Sequence, residues 1–269
     1  MRIAVLVFLL SFSCFGFSQT AKEYFDMGCG KLKEKDYKTA IVFLTKATEK
    51  KQDDTAAYYQ RGIAKAYLNQ YERAIEDFTK AISLEANYES AYYLRALCRQ
   101  ALQNDEKAVE DFSKVIQLNP KFVPAYFFRG VSRTNLQDNK TAMDDYSKVI
   151  SLDSRNVEAY YNRAYIFAVL QNYRAAIIDY NRTLELNPSY VNAYLNRGLC
   201  KAKVADTVGS QLDFKRAGQL DQQQVSAYYN SIGTKLEAGQ KNVGSLDNME
   251  GSSEQARSRA SEAIIKYTE

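Results

Sequence analysis

Apolar side chains recur along the chain with a period of 34 residues. The triplet Ala-Tyr-Tyr, or a close variant of it, begins at Ala57, Ala91, Ala125, Ala159 and Ala193. One further step back reaches Tyr24, so six copies begin at residues 21, 55, 89, 123, 157 and 191 without an insertion. A fixed period of this length indicates a solenoid, in which each repeat buries its apolar face against its neighbours.

Three positions within the repeat, numbered here from 1 to 34, predict how each unit folds. Positions 8 and 20 hold a small residue in every copy, and position 24 holds a large apolar or aromatic one. Small residues midway along two helical segments let the helices approach closely, and the large residue fills the space beside the contact. Each repeat is therefore predicted to be two packed helices. Asn104-Asp105 and similar pairs mark the turn between them, and Asn119-Pro120 and Asn187-Pro188 mark exits from the second helix.

These residues resemble the tetratricopeptide repeat family, which has Tyr at position 4, small residues at 8 and 20 and an aromatic at 24. The resemblance implies an all-α, right-handed superhelix (solenoid) of six helix-turn-helix repeats whose first helices line a concave face. The chain departs from the family at position 7, where Arg replaces the usual Leu in five repeats, and position 32 is Pro in only two. The six predicted repeats are 21–54, 55–88, 89–122, 123–156, 157–190 and 191–224.

A partial seventh copy follows the repeats, with Ala227-Tyr228-Tyr229 in phase. It predicts a capping helix over residues 225–238 that shields the last repeat. Residues 239–269 are predicted to be a flexible linker and a short tail, because Gly, Ser and Asn are frequent up to Glu254. A short helix is expected within that tail, over residues 256–267.

The first 18 residues have the pattern of a signal peptide. Arg2 precedes the apolar run Ile3–Leu10, and Gly16-Phe17-Ser18 offers small residues for cleavage after Ser18. A retained anchor is disfavoured, since Ile3–Phe17 is shorter than the roughly 20 residues that span a bilayer. A lipoprotein attached through Cys14 is also less favoured, because Ser11 stands where an aliphatic residue is expected. We therefore expect an exported protein of the periplasm, the cell surface or the medium.

Charge and composition argue against several classes of function. The net charge of +4 is spread over interleaved acidic and basic residues, unlike the clustered basic face of a nucleic-acid binder. The chain has no His, which is the commonest general base and metal ligand. Gly28-Cys29-Gly30-Lys31 lacks the spacing of a phosphate-binding loop. We expect no enzyme activity, no cofactor, no metal and no nucleic acid.

Two charged columns run through the last five repeats. Position 7 is Arg and position 23 is Asp in each of them, whereas the first repeat has Met27 and Phe43 at these positions. The joint switch from charged to apolar predicts that the two positions touch within a repeat. A ladder of arginines for anions is the alternative. The predicted structural pairs are Arg61–Asp77, Arg95–Asp111, Arg129–Asp145, Arg163–Asp179 and Arg197–Asp213.

The three cysteines beyond Cys14 are predicted to be free thiols. Cys29, Cys98 and Cys200 lie two or more repeats apart, and stacked repeats hold them beyond the roughly 7 Å between α-carbons that a disulfide needs.

The predicted concave face is aromatic and aliphatic. Position 5 supplies Phe25, Tyr59, Tyr93, Phe127 and Tyr161, and position 9 supplies Tyr165. Some relatives grip the acidic C-terminus of a chaperone with basic and Asn residues on this face, and no three successive repeats here reproduce that pattern. Two interpretations remain: the rings pack neighbouring first helices together, or they form a partly exposed apolar groove for a peptide.

The sequence thus predicts an exported, non-catalytic scaffold that binds a protein or peptide in an aromatic groove. The alternative is a structural subunit of a bacterial envelope complex that uses its edges or its tail. The sequence identifies neither the partner nor the oligomeric state.

Overall fold

The computed structural model describes residues 19–223, Ser226 and residues 253–269, with side chains of the last segment described from Arg257 onward. The predicted signal peptide 1–18, nearly all of the predicted capping helix 225–238 and residues 239–252 of the predicted linker lie outside these residues.

Each of the six repeats contributes two helices to an all-α superhelix, and residues 253–269 contain a further helix near the C-terminus. The helices are α1 Ala21–Lys33, α2 Tyr37–Lys50, α3 Thr55–Tyr67, α4 Tyr71–Leu84, α5 Glu89–Ala101, α6 Asp105–Leu118, α7 Val123–Asn135, α8 Asn139–Leu152, α9 Val157–Val169, α10 Tyr173–Leu186, α11 Val191–Lys203, α12 Thr207–Leu220 and α13 Ser253–Thr268.

The turn inside each repeat ends one helix and begins the next within three residues. Position 15 has a left-handed backbone in all six copies, with φ between 57° and 65°. In the first repeat the amide of Asp36 then donates to the carbonyl of Lys31, which satisfies the end of α1. The carboxylate of Asp36 accepts from the amide of Thr39 and caps α2. The spacing between the paired helices is therefore fixed locally.

The large residue at position 24 fills the space at position 8, where the two helices of a repeat approach. A Cβ added at Gly62 would lie 2.7 Å from Cε1 of Phe78, and one added at Gly130 would lie 3.0 Å from Cε1 of Tyr146. Phe78 and Tyr146 are almost fully buried. The large residue of the second helix thus packs directly on the backbone of the first.

Two glycines of α1 offer a matched test of this contact. A Cβ at Gly28 would lie 2.6 Å from Cγ of Leu44, whereas a Cβ at Gly30 meets nothing within 4 Å. Gly30→Ala is expected to raise the free energy of unfolding by up to about 1 kcal/mol, because alanine favours the helix. Gly28→Ala is expected to lower it by about 1–3 kcal/mol through overpacking. Urea unfolding compares the two, and equal effects would contradict the packing argument.

Helix α13 does not extend away from the repeats. It packs on α5 and α3, and its Ala260 and Ile264 are buried. The sequence predicts a short helix at residues 256–267, within a tail. Its docking on the second and third repeats is shown only by the structure.

Candidate functional site

The arginine column is bound within its own repeats. Each arginine at position 7 donates through Nε and Nη2 to the two carboxylate oxygens of the aspartate at position 23, over 2.5–3.0 Å. The aspartate side chains are only 3–7% exposed. Such two-pronged contacts fix geometry as well as charge. The column therefore locks helix to helix and is not a ladder for anions.

Two further contacts of these ion pairs were missed from the sequence. A second cation, at position 11, bonds the same aspartate in four repeats: Lys65, Arg99, Arg133 and Lys201. The fifth repeat has Phe167 at this position. Each arginine at position 7 also donates through Nη1 to position 25 of the preceding repeat, for example from Arg129 to Oγ of Ser113 at 3.0 Å. The ion pairs therefore join neighbouring repeats as well as paired helices.

The signal for the second cation was present in the sequence. Position 11 is basic in every repeat that carries the aspartate at position 23, apart from the one with Phe167. A basic residue near the end of a helix is equally typical of a solvated face, so the column alone does not specify an ion pair.

The aromatic residues predicted for the groove pack in part on their own repeats. The ring of Tyr59 lies 6.0 Å from that of Phe78 in its own second helix and 4.8 Å from that of Tyr88 at the repeat junction. Tyr59 therefore holds its first helix to the second helix and to the junction. Phe25, Tyr59, Phe127 and Tyr165 are half-buried.

Two of the residues predicted to be partly exposed are buried. Tyr93 is 2% exposed because Phe122 and Tyr267 of α13 cover it, with ring centroids 5.0 and 4.7 Å away. Tyr161 is 8% exposed, lying against Tyr190 and accepting a hydrogen bond from the side chain of Asn196 at 3.1 Å. The prediction of exposure was therefore wrong at these two positions.

An apolar cavity of about 370 Å³ lies between α13 and the repeat helices α5, α7 and α9. Its wall on the repeats includes Tyr93, Phe122, Val123, Phe127 and Phe128, and Glu158 adds one charge. The α13 side includes Ala263, Lys266 and Tyr267. A cavity of this size and lining suits apolar side chains of a ligand, with a few polar groups at its edge.

Other kinds of site have little support in the described part of the chain. No group of three or more Cys, Asp or Glu side chains there is placed to hold a metal ion. Cys29, Cys98 and Cys200 are free thiols. Burial raises the pKa of the Cys98 thiol well above its ordinary value, and raises that of Cys200 to about 12. A thiol in such surroundings is a poor nucleophile.

Within residues 19–223 and 253–269, no helix is both long and apolar enough to cross a bilayer.

Comparison with known families identifies the repeats. Models described as tetratricopeptide repeat match residues 55–88, 90–122, 123–156 and 157–190. No curated protein of comparable sequence was found.

Several solved structures have a similar fold. YrrB, described as "a TPR protein with an unusual peptide-binding site", gives a TM-score of 0.61 at 18% identity, covering 70% of this chain and 97% of that one. MamA from Desulfovibrio magneticus RS-1 gives 0.60 at 21% identity, covering 63% and 96%. PilF of Pseudomonas aeruginosa gives 0.62 at 14% identity, covering 78% and 96%. At these identities the likeness concerns the fold.

Proposed function

This chain belongs to the tetratricopeptide repeat family, and from that premise we propose that it is an exported, non-catalytic scaffold that holds a segment of a protein partner in its concave groove. Proteins of this family generally act as interaction scaffolds, and YrrB is described as having a peptide-binding site. Membership of the family supports a protein-binding role in general. The proposed location of the binding site, in the groove, rests on the geometry of this chain.

The apolar cavity beside α13 carries the proposal. Exposed apolar surface that is concave and has a polar edge is the usual form of a recognition site. Aromatic rings such as that of Phe127 give a large contact area with little loss of side-chain entropy on binding. The arginines of position 7 are engaged in the ion pairs, and the cavity lining is mainly apolar, so an apolar segment is the ligand that this face suits.

Export is the second component of the proposal. It rests on the signal-like sequence of residues 1–18 and places the scaffold in the periplasm, at the cell surface or outside the cell.

Replacing Val123 with Asp tests the groove. Val123 lines the cavity and is the first residue of α7, where an acidic side chain favours the helix. The variant should therefore fold while losing the apolar wall. We expect partner capture after crosslinking in the native envelope to weaken by about 2 kcal/mol, or roughly 30-fold, if Val123 lies in the binding hot spot.

Ile178→Asp is the matched control. Ile178 is 67% exposed on α10, the second helix of its repeat, so the change adds the same charge outside the groove. The same captured protein should be retained by this variant. Retention by Val123→Asp together with loss by Ile178→Asp would overturn the groove and favour the structural-subunit alternative. Circular dichroism should show equal helicity in all three proteins.

A further inference from the structure

Helix α13 occupies the concave face in the manner of a bound peptide. Ala260 and Ile264 are at most 1% exposed and share a buried cluster with Ile63 of α3 and with Tyr93 and Leu97 of α5. The ring of Tyr267 lies 4.7 Å from that of Tyr93 and 5.9 Å from that of Phe122. These three residues of α13 are therefore the apolar anchors of the contact.

Hydroxyl groups fix the position of α13 at both sides of these anchors. The phenol oxygens of Tyr67 and Tyr71 lie 2.5 Å from Oγ1 of Thr268 and 2.6 Å from Oγ of Ser261. The phenol oxygen of Tyr267 lies 2.8 Å from Oγ of Ser90. Tyrosine suits such a surface because its ring packs while its hydroxyl bonds the ligand.

The anchors occupy one face of the helix. Ala260, Ile264 and Tyr267 stand at i, i+4 and i+7, which lie together on an α-helix. Glu262 and Ile265 on other faces are exposed. This is the pattern of an amphipathic helix bound in a groove.

We propose that the concave face of repeats 2 to 4 recognises an amphipathic helix with a small, an aliphatic and an aromatic residue at i, i+4 and i+7, and that α13 fills this site in cis until a partner helix displaces it. The inference rests on the proposed function and specifies its ligand. The 370 Å³ cavity beside Ala263 and Tyr267 is the part of the groove that α13 leaves open. A partner can begin contact there.

Charge favours a helix with a basic residue beside Glu158. Lys266 and Glu158 both line the cavity, from α13 and from α9. A competing helix is therefore expected to carry a basic residue at the position of Lys266.

The connection through residues 227–252 makes docking of α13 intramolecular. A tethered ligand has an effective concentration on the order of 1 mM. A free helix of the same sequence must compete with that concentration, so it should bind the intact chain weakly and a released groove more tightly.

The test uses a fluorescent peptide of residues 253–269 and the full chain. Ile264→Asp in the chain places a charge at a buried anchor of α13 and leaves the repeats unchanged. By fluorescence anisotropy, this variant should bind the peptide about tenfold or more tightly than the unaltered chain does. Tyr267→Ala in the chain should act in the same direction.

Ile265→Asp is the matched control, because Ile265 is the same residue type one position along and is 38% exposed. It should bind the peptide no better than the unaltered chain. Equal binding by the unaltered and Ile264→Asp chains would overturn occupation in cis. No binding by a helical Ile264→Asp chain would overturn the ligand pattern itself.

Light scattering distinguishes a second copy from a cis occupant. A dimer that dissociates on Ile264→Asp would mean that α13 docks on another molecule, which would overturn the cis arrangement. These tests use the chain's own helix and not the cellular partner. If they fail while Val123→Asp still loses the partner, the proposed function stands and only the role of α13 is removed.

Discussion

Arg163→Ala should lower the free energy of unfolding by about 3–5 kcal/mol, because it leaves a buried carboxylate without a cation. The Asp179 side chain is 7% exposed and is bonded by Nε and Nη2 of Arg163. Phe167 stands where the other four paired repeats supply a second cation. Arg129→Ala should cost less, since Arg133 still bonds Asp145 at 2.6 Å.

Urea unfolding of the two variants measures this difference. Arg182→Ala is the control, since the pair between Arg182 and Glu185 is exposed at 42% and 63% and such pairs contribute about 0–1 kcal/mol. The double variant Arg163→Ala/Asp179→Ala should lose less stability than the sum of the single changes, because it leaves no unpaired charge. A cost for Arg163→Ala no larger than that of the exposed pair would refute the argument.

Phe112→Ala is expected to cost about 3–5 kcal/mol, as removal of a fully buried aromatic ring does. Phe112 is 0% exposed, and its ring centroid lies 6.0 Å from that of Tyr93 and 6.2 Å from that of Phe128. The change opens a void beside Tyr93, which lines the cavity next to α13. Because Tyr93 then loses its support, affinity for the α13 peptide should fall together with stability.

Thermal unfolding followed by circular dichroism checks the stability, and Leu212→Ala is the control. Leu212 lies on α12 and is 61% exposed, so its truncation should change stability by no more than about 0.5 kcal/mol. Similar losses in the two variants would mean that position 24 is not the packing centre of the repeat.

Contacts that recur with the period could be predicted from the sequence. Position 8 is small and position 24 is large in every repeat, and Arg at position 7 appears only with Asp at position 23. Comparing the six repeats with one another therefore indicates which positions lie together. The structure places Gly62 against Phe78 and Arg129 against Asp145 as these columns indicate. A contact that is made in every repeat places the same residue types at the same positions of each repeat.

Contacts made only once in the molecule produce no recurring residue pattern in the sequence. The bond between Tyr71 and Ser261 joins residues 190 apart, and nothing in the composition of residues 253–269 specifies which repeats they touch. For the same reason the full burial of Tyr93 could not be predicted, since Tyr267 of α13 covers part of its ring. The partial exposure of Phe127, in contrast, depends only on its repeat and its neighbours.

The backward bonds of the arginines allow the repeats to assemble in chain order. Arg129 bonds Ser113, which precedes it in the chain, and its aspartate follows 16 residues later. A newly emerged repeat can therefore attach to the finished one before it without waiting for the next. Helix α13 is the exception, because its residues follow all six repeats. Until α13 docks, Tyr93 lacks the cover of Tyr267, and during that interval a partner helix can reach it before the chain's own helix does.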